Sequence, residues 1–118
     1  MRIAVLEREG RVFPQCEESA QIAIVDVDPV GNSVQQTAFL SPPPQAVGDL
    51  AVWLRREEVE VLLTSGICRR DRDLLEQKGI EVIVGVPPFR VEPVVASYLA
   101  GTLQTGANPC EQKTGSQE

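Results

Sequence analysis

Cys16, Cys68 and Cys110 are the side chains of this 118-residue sequence best suited to soft-ligand chemistry. They are odd in number, widely spaced and form no CxxC pair, so neither a zinc ribbon nor a thioredoxin-like site is expected. A disulfide framework is equally unexpected for a chain read as cytoplasmic. The sequence contains no histidine, which removes the Ser-His-Asp, Cys-His and histidine–metal chemistries together. What remains is thiolate, a donor suited to copper, iron–sulfur and other sulfide-rich clusters. Cys68 follows Thr64-Ser65-Gly66-Ile67, which reads as the end of a buried strand, a glycine turn and a helix start. A helix N-terminus predicts a lowered thiol pKa there. The competing reading is that each cysteine is a small, partly buried filler.

Two further groupings carry chemistry. Backbone N–H groups around Ser65, Gly66 and Ile67, with Arg69 and Arg70 beside them, form a candidate anion site at a helix N-terminus. The alternative is ordinary helix capping under a solvated charged face. Glu7, Asp26 and Asp28 invite comparison with a two-metal carboxylate site. Asp26 and Asp28 end a strand beside a turn, where aspartate is common anyway. A formal net charge of −6 opposes a nucleic-acid surface, which needs clustered lysine and arginine to neutralise phosphates.

These residues must be positioned by one domain, because 118 residues suffice for a single core but not for two. Strands are predicted at 2–6, 20–28, 33–40, 59–63 and 80–84, and helices at about 45–58, 69–78 and 91–103. The apolar run Val59, Val61, Leu62, Leu63 suits a strand covered on both faces, as in a parallel sheet. Pro29-Val30-Gly31-Asn32 joins the second and third strands as a hairpin whose Gln35 and Gln36 face solvent at a sheet edge. Residues 11–19 read as a loop. Val47, Leu50, Ala51 and Leu54 make one helical stripe, flanked by Trp53, and Val91, Val94, Val95, Tyr98 and Leu99 make another. The expected fold is an α/β three-layer sandwich with a five-stranded mixed sheet, order 3-2-1-4-5, and three helices. The domain spans 1–103, followed by a flexible tail over 104–118 rich in Thr, Gly, Asn and Ser. The carboxyl ends of the first and fourth strands meet at a topological switch point, the usual ligand crevice of such sheets. No apolar run approaches the roughly 20 residues of a membrane span and no signal peptide is visible, so the cytoplasm is the expected location.

Met1-Arg2-Ile3-Ala4-Val5, Ile24-Val25-Asp26, Thr64-Ser65-Gly66-Ile67, Lys78-Gly79-Ile80, Val84-Gly85, Tyr98-Leu99-Ala100-Gly101-Thr102-Leu103 and Asn108-Pro109-Cys110 recur in one order and spacing. In these the chain resembles the dinitrogenase iron–molybdenum cofactor biosynthesis proteins, small carriers of molybdenum-containing clusters with a ribonuclease H-like fold. The resemblance covers about Met1 to Cys110. Members commonly carry His-Phe-Gly in the first loop, where this sequence has Gln15-Cys16-Glu17; a glycine becomes Cys68, and a late histidine becomes Glu111. The candidate cofactor contacts are Gln15 and Cys16, in place of the family's first-loop motif, and Ser65, Gly66, Cys68 and Arg69 of the switch-point loop and helix start. Cys16 and Cys68 would act as metal ligands in place of imidazole.

The function expected is therefore a non-enzymatic carrier or chaperone, with a molybdenum-containing iron–sulfur or copper–sulfide cluster, or its precursor, as cargo. A donor or acceptor protein is its implied partner; nucleic acid and membrane are not. The alternative is a protein-interaction or regulatory module that keeps the fold without cluster binding.

Overall fold

The computed structural model describes residues 1–13, 21–28, 30–31, 33–40 and 49–106. The elements follow in the order β1 (Arg2–Arg8), β2 (Arg11–Val12), β3 (Gln21–Asp28), β4 (Ser33–Leu40), α1 (Asp49–Arg56), β5 (Val61–Leu63), α2 (Arg69–Gln77), β6 (Glu81–Ile83) and α3 (Val91–Ala100). The main path of the sheet is β4-β3-β1-β5-β6, the order read from the sequence. β1 is central, antiparallel to β3 and parallel to β5.

One element was not anticipated. Arg11–Val12 is no loop but a two-residue strand folded back on β1, with Arg8 opposite Arg11 and Glu7 opposite Val12. Its turn places Glu9 and Gly10 at φ of 56° and 83°, and such a pair of positive φ values is what a two-residue hairpin requires. Buried Glu7 accepts the Gly10 N–H at 2.9 Å, closing the turn from inside.

Alternation along β1 divides the core into two layers. Ala4 and Leu6 join Ala51 and Leu54 of α1 and Leu75 of α2 on one face. Ile3 and Val5 join Val91, Val94 and Val95 of α3 on the other. The three-layer sandwich follows, with two helices above the sheet and one below. Trp53 packs against the first layer, and Tyr98 and Leu99 against the second, as their spacing predicts. Val47 and the side chain of Leu50 lie outside the described residues.

β4 forms the sheet edge, and Gln35 and Gln36 are exposed as expected. Its register shifts between Asp26 and Val27 of β3, which face Gln36 and Val34 respectively. Gln35 is thus the extra residue of a bulge, a common device at an edge. Beyond α3, Leu103 still packs on the core and the Gly106 N–H donates to Gly85 O at 2.8 Å. Among the described residues no helix is long and apolar enough to cross a membrane.

Candidate functional site

β1 and β5 run parallel and end side by side, so the turn after β1 and the loop after β5 open at the same end of the sheet. The helices that follow β5 and β6 then part: α2 packs on one face and α3 on the other. The strand order reverses between β1 and β5, with β3 and β4 on one side and β6 on the other, so the carboxyl ends of β1 and β5 form the switch point, where a sheet leaves room for a ligand.

The loop 64–68 is built from the inside. Thr64, fully buried, sets its hydroxyl 3.2 Å from the Phe13 carbonyl oxygen and 3.0 Å from that of Gly66, while accepting the Gly66 N–H at 3.2 Å. Ser65 Oγ donates to Val86 O at 2.8 Å. The backbone continues the ladder past the strands: Gly85 N–H donates to Ser65 O at 2.9 Å and Val86 N–H to Thr64 O at 3.2 Å. Ser65 and Gly66, both expected at a cofactor, are thus buried and hydrogen-bonded within the fold. Ile67, fully buried, anchors the loop before it turns outward.

Cys68 then emerges. It is exposed and occupies the N-cap of α2 with extended backbone, φ −68° and ψ 151°, and no side-chain cap bond. Arg69 and Arg70 follow it as exposed residues of the first helical turn. The expected lowering of the Cys68 pKa is overturned. Partial burial disfavours the thiolate and pushes the thiol up, and the Asp71 carboxylate adds to this. The backbone N–H groups of Asp71 and Arg70 pull the other way, but a nearby negative charge and desolvation outweigh them.

Asp71 is the residue that sequence reasoning missed. It is 8% exposed and its Oδ1 has no hydrogen-bond partner. The signal was available: Cys-x-x-Asp over 68–71 has the spacing of a capping box, whose third helical residue folds back toward the cap. Glu7, at 2% exposure and with Oε2 unpartnered, is a second buried carboxylate at this end of the sheet. It does not join Asp26: Arg2 at the opposite end of β1 faces Asp26 and holds it by an ion pair of 2.7 Å. Glu7 is therefore kept apart from the aspartates of the two-metal comparison. Among the described residues no group of three His, Cys, Asp or Glu side chains could hold a metal ion. Gln15 and Cys16, like Cys110, lie outside the described residues. Phe13, just before them in the chain, is tied to Thr64 by the contact above.

A groove of about 420 Å³ lies elsewhere, between the start of β4 (Ser33, Val34) and α3 (Ala96, Leu99, Ala100). It shares no residue with the loop of Cys68.

A three-layer mixed-sheet domain with a thiol displayed at its switch point is thus the class of protein defined by fold and site. The chain belongs to the dinitrogenase iron-molybdenum cofactor family, whose model matches residues 1–101. Among solved structures it is similar to PH0822, at 24% identity and a TM-score of 0.77, over 90% of this chain and 96% of that one. It is also similar to the apo form of the orange protein from Desulfovibrio gigas, at 23% identity and a TM-score of 0.67, over 92% and 94% of the two chains. At such identities the two likenesses establish the fold. No curated protein matches the chain.

Proposed function

We propose that the protein is a non-enzymatic, cytoplasmic carrier that holds an iron–molybdenum or related molybdenum–sulfide cluster, or its precursor, and passes it to an acceptor protein. The observation that carries this reading is Cys68: an exposed thiol at the N-cap of α2, on the switch-point loop of a domain whose family is that of the dinitrogenase iron-molybdenum cofactor. A thiolate is a soft donor matched to sulfide-rich clusters, and an anionic cluster is favoured beside a helix N-terminus flanked by Arg69 and Arg70. The rigid base of the loop, with Thr64 and Ser65 bonded inward, would hold the thiol in place as cargo arrives. In this reading Cys16 is the second thiol and Gln15 its neighbour at the cargo.

A second reading, an interaction or regulatory module without cargo, is favoured by the raised Cys68 pKa and by the internal engagement of the Gly66 N–H. Anaerobic titration of the reduced protein with tetrathiomolybdate, with and without copper(I), separates the two. A carrier gives a stoichiometric coloured complex that co-elutes with the protein and weakens in Cys68→Ser or Cys16→Ser. Folded protein that binds neither this probe nor isolated iron–molybdenum cofactor would sink the carrier reading.

A further inference from the structure

Three arginines stand in a row at the switch-point end of the molecule. Arg8 on β1 is the register partner of Arg11 on β2, and Arg11 is bridged in turn to Arg90, antiparallel, ahead of α3. Residues directly opposite in antiparallel pairs project to the same face with Cβ atoms about 5 Å apart. Arg8, Arg11 and Arg90 therefore project from one face in a row, and all three residues are exposed. Arg8 stacks over the Phe13 ring, its Cζ 5.5 Å from the centroid. Among the described residues neither Arg11 nor Arg90 has an ion-pair partner. Beside the row Phe89 is 60% exposed, and its carbonyl accepts the Val12 N–H at 2.9 Å.

Like charges directly opposite each other destabilise a sheet. Here three are aligned although the chain as a whole carries −6. Glu9 and Glu92 are the exposed acidic residues nearest in sequence; Glu7 is buried beneath. At the opposite end, around the amino ends of β5 and β6, exposed Arg55, Arg56 and Lys78 alternate with Glu58, Glu60, Glu76 and Glu81, so cations there are interleaved with carboxylates. The uninterrupted cationic row is thus a feature of the face of the hairpin.

The geometry points to this row as a docking surface for a protein partner that presents a carboxylate-rich strip. Charge complementarity commits the choice. Guanidinium forks match carboxylates in two-point contacts, and a row of exposed arginines spread over three paired segments suits an extended macromolecular surface better than an enclosed small anion. Arginine and aromatic side chains are also those enriched where protein interfaces hold their energy. The row would hold the partner at the end of the sheet that carries Cys68. The docking surface stands whether or not the chain carries a cluster.

The test uses isotope-labelled full-length protein and an octaglutamate peptide at low ionic strength, with amide chemical shifts as the readout. Shifts centred on Arg8, Arg11, Phe89 and Arg90, fading with salt, are expected. In Arg11→Glu/Arg90→Glu the apparent affinity should fall at least about tenfold, and in the control Arg55→Glu/Arg56→Glu it should stay near that of the unmodified chain. Both double variants alter exposed side chains, and their unperturbed amide spectra serve as the fold check. Shifts centred on Arg55, Arg56 and Lys78, shifts spread evenly over the surface, or none at all would overturn the proposal. So would stronger binding of an oligothymidylate at the same residues, which would assign the row to phosphate. Tetrathiomolybdate binding, measured on the same variants, reads the carrier function separately.

Discussion

Cys68 and Asp71 show how a residue's neighbours reverse its chemistry. From sequence, a cysteine at a helix start reads as an activated thiol. In the fold, burial and the carboxylate one turn along raise its pKa. We predict that alkylation of Cys68 requires a higher pH than that of an ordinary cysteine. Asp71→Asn should move the profile back to lower pH, because removing the charge leaves only desolvation against the helix N–H groups. A Cys16→Ser/Cys110→Ser background isolates the signal, and mass spectrometry of the modified peptide reads it. The linkage has a definite sign. A thiol whose folded pKa is raised contributes stability that is complete below the unfolded pKa and lost as pH rises through the folded one. Denaturation at neutral and alkaline pH should thus show a smaller alkaline loss in Cys68→Ser than in the unmodified chain. A profile identical to that of free cysteine would remove Asp71 from the site.

Among the elements, the two loops that close the sheet are the most constrained. Gly85 has φ of +73°, and a Cβ there would lie 2.0 Å from the Gly106 carbonyl oxygen. Gly79 has a similar φ, +81°, with nothing within 4 Å. Both positions are strained for a side chain, but only the first is also blocked. Gly79→Ala should cost about 1 kcal/mol from backbone conformation alone. Gly85→Ala should cost at least about 3 kcal/mol, because backbone rather than a movable side chain must yield. Urea denaturation of the two variants makes the comparison, and equal midpoints would mean that the 85–106 contact does not form in solution. In sequence the two glycines look alike: each follows an apolar or helical run. The difference between them arises from a segment 21 residues further along, which local pattern does not contain.

At the scale of the whole molecule, that same segment extends the domain past its last helix. Leu103 packs on the layer beneath the sheet and Gly106 is bonded to Gly85. Truncation after Thr102 should therefore lower stability by about 1–3 kcal/mol, from lost apolar burial and one lost hydrogen bond. Thermal and chemical denaturation of the truncated and full chains measure it; coincident curves would show that the extension adds nothing. Charge is likewise a property of the whole. A net −6 gives no hint of a cationic row. Arg8 and Arg11 meet through a hairpin, and Arg90 joins them from nearly 80 residues away.

Helix and strand periods, the apolar run at β5 and the proline and glycine stops between segments determined the elements, their order and the central place of β1. These are local consequences of which side chains must leave water, so they can be read along the chain. Family kinship was legible in the same way, from short motifs in fixed order. The β2 strand was not, because two residues have no period of their own and pair only because β1 is already in place. The inward bonding of Ser65, the raised thiol of Cys68 and the arginine row were hidden for a related reason. Ser65 and the arginines depend on residues that only folding brings together, and Cys68, although Asp71 lies close in sequence, depends first on a burial that tertiary packing sets.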